Sequence, residues 1–373
     1  MTLRLGLIAP ELPPDLGGMA ELARGLALAL GETEELILYT LPEHGIAGAS
    51  FEQRPVLSGQ FATDAKRLAA VAVDAWLALN AGLVPLARRL PSPFYAYFHG
   101  NDFLNPWLAC GGWFERFRRP YCAPLRRRLR RGGIRHHLPA VQRIFTNSHG
   151  TAGVIRRQFR IAEQRVEVVH PGVDDRFFQQ ARPSNGESLR LLTVSRLSRY
   201  VRRKNIDGVL RALQRLDGKI PVHYTVAGDG DDLPRLRALA DELGLTDRVT
   251  FTGRLGQDEL LTLYADCDLF ILASLASEDD IEGFGIVYIE ASAAGVPVLC
   301  SREGGAVDAV EHGVNGLVLS SSSPRAIAEG IEQIHHRRDD FRPERIREVA
   351  ERYRWPKIAA QLSASIRARE PGQ

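Results

Sequence analysis

The sequence predicts an α/β protein made of two doubly wound halves, each a parallel sheet with helices on both faces. Three observations carry that prediction. The chain has 373 residues, enough for two domains of roughly 100–200 residues each. Short apolar runs alternate with helical patterns of about 10–15 residues, the spacing of parallel strands and their crossover helices. The series also restarts after a polar stretch, Ser184-Asn185-Gly186-Glu187. Domain boundaries are therefore set at 1–185 and 186–350, with 351–373 as a C-terminal helix available to pack back on the first domain.

In the first half, the apolar run Leu3–Ala9, a Pro/Gly turn and the Ala/Leu-rich Met19–Leu30 read as strand, glycine loop and helix. Leu36–Thr40, Phe94–Phe98, Ile144–Asn147 and Val166–Val169 are further buried strands. The second half is cleaner. Its strands are Leu189–Val194, Val222–Ala227, Val249–Phe251, Asp268–Ala273, Val296–Cys300 and Leu317–Leu319. Helical patterns fill the gaps at Ile206–Leu216, Leu233–Leu243, Gln257–Ala265, Ile286–Ala294 and Pro324–His335, and Pro343–Arg369 is helical again. Ligands of such folds bind beyond the carboxyl ends of the strands, here expected to face a central cleft between the halves.

Composition narrows the function. At 45% hydrophobic and 25% charged residues the chain is neither disordered nor a disulfide scaffold. The net charge of +3 gives no reason to expect nucleic acid as a partner. That total conceals a block: residues 116–162 hold 13 arginines and no Asp or Glu, which leaves the remainder at −10. Four cysteines without metal-ligand spacing fit a reducing, cytoplasmic compartment. No run approaches the roughly 18 apolar residues of a membrane span, and no signal peptide is apparent.

Chemistry concentrates at Glu282-Gly283-Phe284-Gly285-Ile286-Val287-Tyr288-Ile289-Glu290. Gly283 and Gly285 permit close backbone approach, and the free amides of the helix start attract anions. If Glu282 and Glu290 are both helical, they lie on similar faces about 12 Å apart, at ~1.5 Å rise per residue. One carboxylate could then take a sugar's hydroxyls and the other a ribose diol, with a diphosphate between them. Two Asp-x-Asp pairs, Asp229/Asp231 and Asp266/Asp268, sit at a glycine turn and a helix-to-strand junction, where Asp is frequent anyway. No metal is expected.

The Glu282–Glu290 run resembles the Glu-x7-Glu motif of retaining glycosyltransferases of family 4, which have the GT-B fold of two Rossmann-like domains. His170-Pro171-Gly172-Val173-Asp174 with Phe177, Val194-Ser195-Arg196-Leu197 with Lys204-Asn205, Val226-Ala227-Gly228-Asp229-Gly230, Ala294-Gly295-Val296-Pro297 and Gly304-Gly305 agree in order and spacing. The likeness is dense over 166–320. In the first half it rests on Gly17-Gly18 and Phe98-His99-Gly100.

The resemblance implies a hexose moved from a nucleotide diphosphate sugar, with no required cofactor. Glu282, Arg196, Lys204 and His99 become the catalytic residues. Gly17, Gly18, Gly228, Gly283, Phe284, Gly285 and Glu290 line the donor, and Asp102 lies toward the acceptor. Seven residues separate Arg196 from Lys204, more than similar enzymes have, so Arg202 or Arg203 could replace either one. No general base is nominated. The stretch is nearest to bacterial GDP-mannose-dependent α-mannosyltransferases, with UDP-sugars left open.

Trp113 and the arginines at 126, 127 and 128 belong to the basic block. Aromatics interleaved with arginine suit an anionic membrane surface. We expect peripheral contact with the inner leaflet and a lipid-linked or glycan acceptor for cell-surface polysaccharide. A sugar-nucleotide epimerase of the same fold is the alternative. A nucleic-acid-binding module is weaker still, because no nucleic-acid fold signature accompanies the arginines.

Overall fold

The computed structural model describes residues 2–15, 17–104, 123–178, 188–275 and 281–368. They form two compact units, Met1–Gly172 with Trp355–Gln373, and Val173–Arg354.

The first unit holds seven strands: β1 (Arg4–Ile8), β2 (Glu35–Tyr39), β3 (Glu52–Arg54), β4 (Ala75–Ala78), β5 (Phe94–Phe98), β6 (Ile144–Thr146) and β7 (Val166–Val168). They pair in the order β3-β2-β1-β4-β5-β6-β7, and every pairing is parallel. Two of these strands were not expected from the sequence. β3 is the polar edge segment Glu-Gln-Arg, with no apolar run to reveal it. β4 is Ala-Trp-Leu-Ala inside an Ala-rich stretch that reads as helix, yet it is fully buried and pairs directly with β1.

The second unit holds β8 (Leu189–Val194), β9 (Val222–Ala227), β10 (Val249–Gly253), β11 (Leu269–Leu272), β12 (Val298–Ser301) and β13 (Gly316–Leu319). Their order is β10-β9-β8-β11-β12-β13, again all parallel. In both sheets the chain leaves the first strand toward one edge, then returns to its other side. The reversal lies between β1 and β4 in one sheet and between β8 and β11 in the other. Connections leaving such neighbours diverge, which opens a crevice at their carboxyl ends.

The helices follow from their apolar spacing. Ile206–Arg215 buries Ile206, Val209, Leu210 and Leu213, one stripe at helical period. Ser323 caps Pro324–His336 by accepting from the Ala326 amide, with Pro324 at the first helical position. Ile286–Ala294 ends at Gly295, whose φ of +83° is the left-handed stop that glycine adopts without strain.

The unit boundary falls at 172/173, before the 185/186 position set from composition. Val173 bridges Arg354, and the buried ring of Phe177 packs edge-on to Tyr264, so the segment from 173 belongs to the second core. The polar stretch 184–187 lies outside the described residues. The returning helix Trp355–Arg367 buries Ile358, Leu362 and Ile366 against Leu22, Leu26 and Leu30 of the first unit. Trp355 lies over Gly25 and Gly172, where an added Cβ would come within 2.1 and 2.3 Å of its ring.

Candidate active site

Lys204 follows β8 and Glu282 follows β11, the neighbouring strands on either side of the reversal. The connection after β8 is braced first. Ser195 and Leu197 donate their amides to the carbonyls of Ala227 and Asp229, and Asp232 donates to that of Leu197. A Cβ on Gly228 would lie 1.8 Å from the Ser195 oxygen, and one on Gly230 would lie 2.3 Å from that of Leu197. Only glycine lets these two loops lie so close. Gly228, expected to touch the donor, is therefore occupied in seating the 195–198 loop.

A turn of 3-10 helix at Arg199–Lys204 then distributes the arginines. Arg199 pairs with Asp231 at 2.6 Å and Arg202 with buried Asp232 at 2.7 Å. Arg196 is exposed, although its charge is felt at Lys204. Arg203 is the one placed beside Lys204. Its Nη1 lies 2.8 Å from Glu282 Oε2, Lys204 Nζ lies 2.5 Å from the same oxygen, and Ser274 Oγ donates to it at 3.3 Å.

All three charges are largely buried, Glu282 being 6% exposed. Burial alone would raise the Glu282 carboxyl. Lys204 and then Arg203 outweigh that and bring it from 4.5 down to about 2. Lys204 is lowered, by burial first and then by Arg203, against the pull of Glu282. Two cations share one carboxylate oxygen.

At the other end of the motif, the condition that both glutamates be helical is not met. The helix begins at Ile286, so Glu282 lies before it and the 12 Å helical spacing does not apply. Gly305 donates its amide to the Glu282 carbonyl, and a Cβ on Gly304 would meet that oxygen at 2.4 Å. Gly285 has φ +83° and lies under the Tyr288 ring. Phe284, expected at the donor, is a core residue whose ring packs on Tyr353 at 5.6 Å. Only its backbone could reach a ligand. Glu290, half-buried, accepts a hydrogen bond from the Tyr264 hydroxyl at 2.7 Å.

Comparison with known proteins follows this geometry. Residues 174–353 match the model for glycosyl transferases group 1, and residues 22–177 match that for glycosyltransferase family 4. The two matches overlap at 174–177 and together span most of the chain. Both halves of the chain match glycosyltransferase families.

A GDP-mannose-dependent alpha-(1-6)-phosphatidylinositol monomannoside mannosyltransferase of Mycobacterium tuberculosis is 38% identical over 54% of this chain and 56% of that protein. The chain thus matches little more than half the length of that relative. An uncharacterized glycosyltransferase of Methanocaldococcus jannaschii is 26% identical over 96% of both chains. Among solved structures, Anabaena HepE in complex with UDP and glucose superposes with TM-score 0.75 at 18% identity, covering 98% of this chain and 100% of that one. It shares the GT-B fold.

The first-unit residues are placed as follows. Gly17, at φ +121°, precedes helix Gly18–Gly31 and has open space where a Cβ would sit. His99 follows β5 and is 7% exposed. Its Nε2 lies 3.0 Å from the Leu79 carbonyl after β4, an acceptor that requires the proton on Nε2. Burial lowers its pKa against the pull of Asp102, which favours the neutral ring. Asp102 was expected to face an acceptor. It is instead wholly buried and accepts from the amides of Ala81, His99 and Gly100 at 2.8–3.0 Å, which ties the loops after β4 and β5 together.

Of the basic block, Trp113 lies outside the described residues. Arg126, Arg127 and Arg128 lie on helix Ala123–His137, where Arg128 is exposed and nothing is described of the first two side chains. Among the described residues, no helix is long and apolar enough to cross a membrane. Of the two Asp-x-Asp pairs, Asp231 is engaged by Arg199 and Asp268 by Arg190. Sequence reasoning left Arg203 as an alternative, and it missed Ser274 and Tyr264, which no motif marks.

Proposed function

We propose that this chain is a retaining, nucleotide-sugar-dependent hexosyltransferase, with the donor held by the second unit and the acceptor by the first. The observation that carries this reading is the buried Lys204–Glu282–Arg203 cluster, which brings two cations to the carboxyl ends of β8 and β11. A donor diphosphate would pair with those cations. The same cations would stabilise the charge that grows on the leaving diphosphate as the glycosidic bond breaks.

Helix Ile286–Ala294 directs its free amides toward the segment with Gly283 and Gly285, a second source of anion affinity. Glu282 is kept ionised by its cations and accepts hydrogen bonds from the sugar's hydroxyls. Glu290 receives the ribose diol. We assign no general base: the departing phosphate takes the acceptor proton on the same face, and this retaining course rests on the family resemblance. No metal is needed in this reading.

The preferred donor is GDP-mannose, supported by the likeness to the GDP-mannose-dependent mycobacterial relative over half the chain. The acceptor is a lipid-linked or oligosaccharide glycan. Support comes from the phosphatidylinositol in that relative's name and from the run of arginines on helix Ala123–His137. A peripheral position on the cytoplasmic face of the inner membrane suits both.

The test is incubation of the purified chain with radiolabelled GDP-mannose, and separately UDP-sugars, together with a bacterial lipid extract. Label in the lipid fraction with an α-anomeric product supports the reading. Label recovered only in an isomerised nucleotide sugar would make the chain an epimerase.

A further inference from the structure

We propose that Tyr264 is a positioning residue for the donor, its hydroxyl fixing Glu290 in the rotamer that receives the ribose diol. This rests on the assignment of Glu290 to the ribose. Tyr264 lies in helix Gln257–Asp266, and its side chain is completely buried. Its ring stacks on Phe270 of β11 at 5.7 Å and meets Phe177 edge-on at 5.5 Å. Held from both sides, the ring has one place to put its hydroxyl, 2.7 Å from Glu290 Oε2.

Ordering a half-buried glutamate side chain costs conformational entropy when a ligand binds. A hydrogen bond from a rigid aromatic removes that cost beforehand. Burial and the adjacent carboxylate raise the phenol's pKa, so it remains a donor throughout the physiological range. An ionised carboxylate offers about four lone-pair sites. One serves the phenol and two serve a vicinal diol, so Tyr264 and ribose bind the same group together.

Tyr264→Phe keeps the ring and removes only the hydroxyl. The experiment is calorimetric titration of wild type and Tyr264→Phe with GDP and UDP, each beside its 2′,3′-dideoxy form, with thermal melts of both proteins. We expect the wild type to prefer the ribose form of its nucleotide. Tyr264→Phe should lose about tenfold in affinity for that form, the scale of one hydrogen bond to a charged group, and bind the dideoxy form as the wild type does. Equal ribose preference in both proteins overturns the proposal, and so does an equal loss for both forms, which would mark a structural role. No ribose preference in the wild type removes the Glu290 assignment and this inference with it. Failure of both nucleotides to bind the wild type overturns the donor site itself.

Discussion

Lys204 Nζ lies 2.5 Å from Glu282 Oε2, although 78 residues separate the two in sequence. The parallel sheet brings them together, because each follows one of two adjacent strands at the reversal of strand order. Arg203 adds a second cation to the same oxygen. Both cations meet that carboxylate at the carboxyl ends of β8 and β11. Their placement suits an anionic ligand.

Removing the carboxylate takes a shared partner from two buried cations. Glu282→Ala should therefore abolish transfer and also destabilise the chain, by about 3–5 kcal/mol as for other broken buried pairs. Lys204→Ala leaves Arg203 paired with Glu282, so it should cost less stability while abolishing transfer as fully. Urea melts of both variants check the order. Equal stability of Glu282→Ala and wild type would contradict the charge assignment.

The acid limb of stability should report the same carboxylate. Its folded pKa, about 2, is depressed from 4.5. Its contribution is fully present above pH 4.5 and is lost as pH falls toward 2. The difference in Tm between wild type and Glu282→Gln should accordingly be constant at pH 5–7 and shrink between pH 4.5 and 2. A difference that does not change over that interval would refute the depressed pKa.

Two glycines of positive φ should respond differently to a methyl group. Gly228→Ala meets the Ser195 carbonyl as well as strain at φ +146°, and should displace the loop that leads to Lys204. Gly17→Ala meets strain alone, at φ +121° with nothing within 4 Å. The strain costs on the order of 1–3 kcal/mol at each site. Gly228→Ala should exceed Gly17→Ala in loss of Tm and should also weaken nucleotide binding.

Asp102→Ala should behave as a stability defect. Three backbone amides lose their acceptor inside the first unit, each at about 1–3 kcal/mol if left unpaired. The expected result is a large fall in Tm, with the donor KM of the remaining folded enzyme unchanged. A selective rise in acceptor KM without loss of stability would restore the role first expected for this residue.

Much of the second unit was legible in the sequence. Its strands are buried runs such as Leu189–Val194 and Val222–Ala227, framed by helices with clear apolar stripes. The first unit hid β4, because alanines on either side of Trp76 and Leu77 carry a helical pattern that the sheet overrides. The two glutamates stood out by spacing, and Lys204 by its place in the family motif. Which arginine joins them did not, since that depends on a turn at 199–204 that gives Arg202 to Asp232 and Arg203 to Glu282. The packing of Phe284 and Gly228 was hidden for a related reason. A motif names residues that sit near a ligand, and only coordinates separate those that face it from those that hold the backbone in place.

The central claim is that the Lys204–Glu282–Arg203 cluster binds a nucleoside diphosphate. Calorimetric titration of GDP and UDP into wild type and Lys204→Ala tests it most directly. The account predicts that one of the two binds the wild type and loses at least about tenfold in affinity in the variant, the loss of one charge-assisted contact. Equal affinity in the two proteins would contradict it.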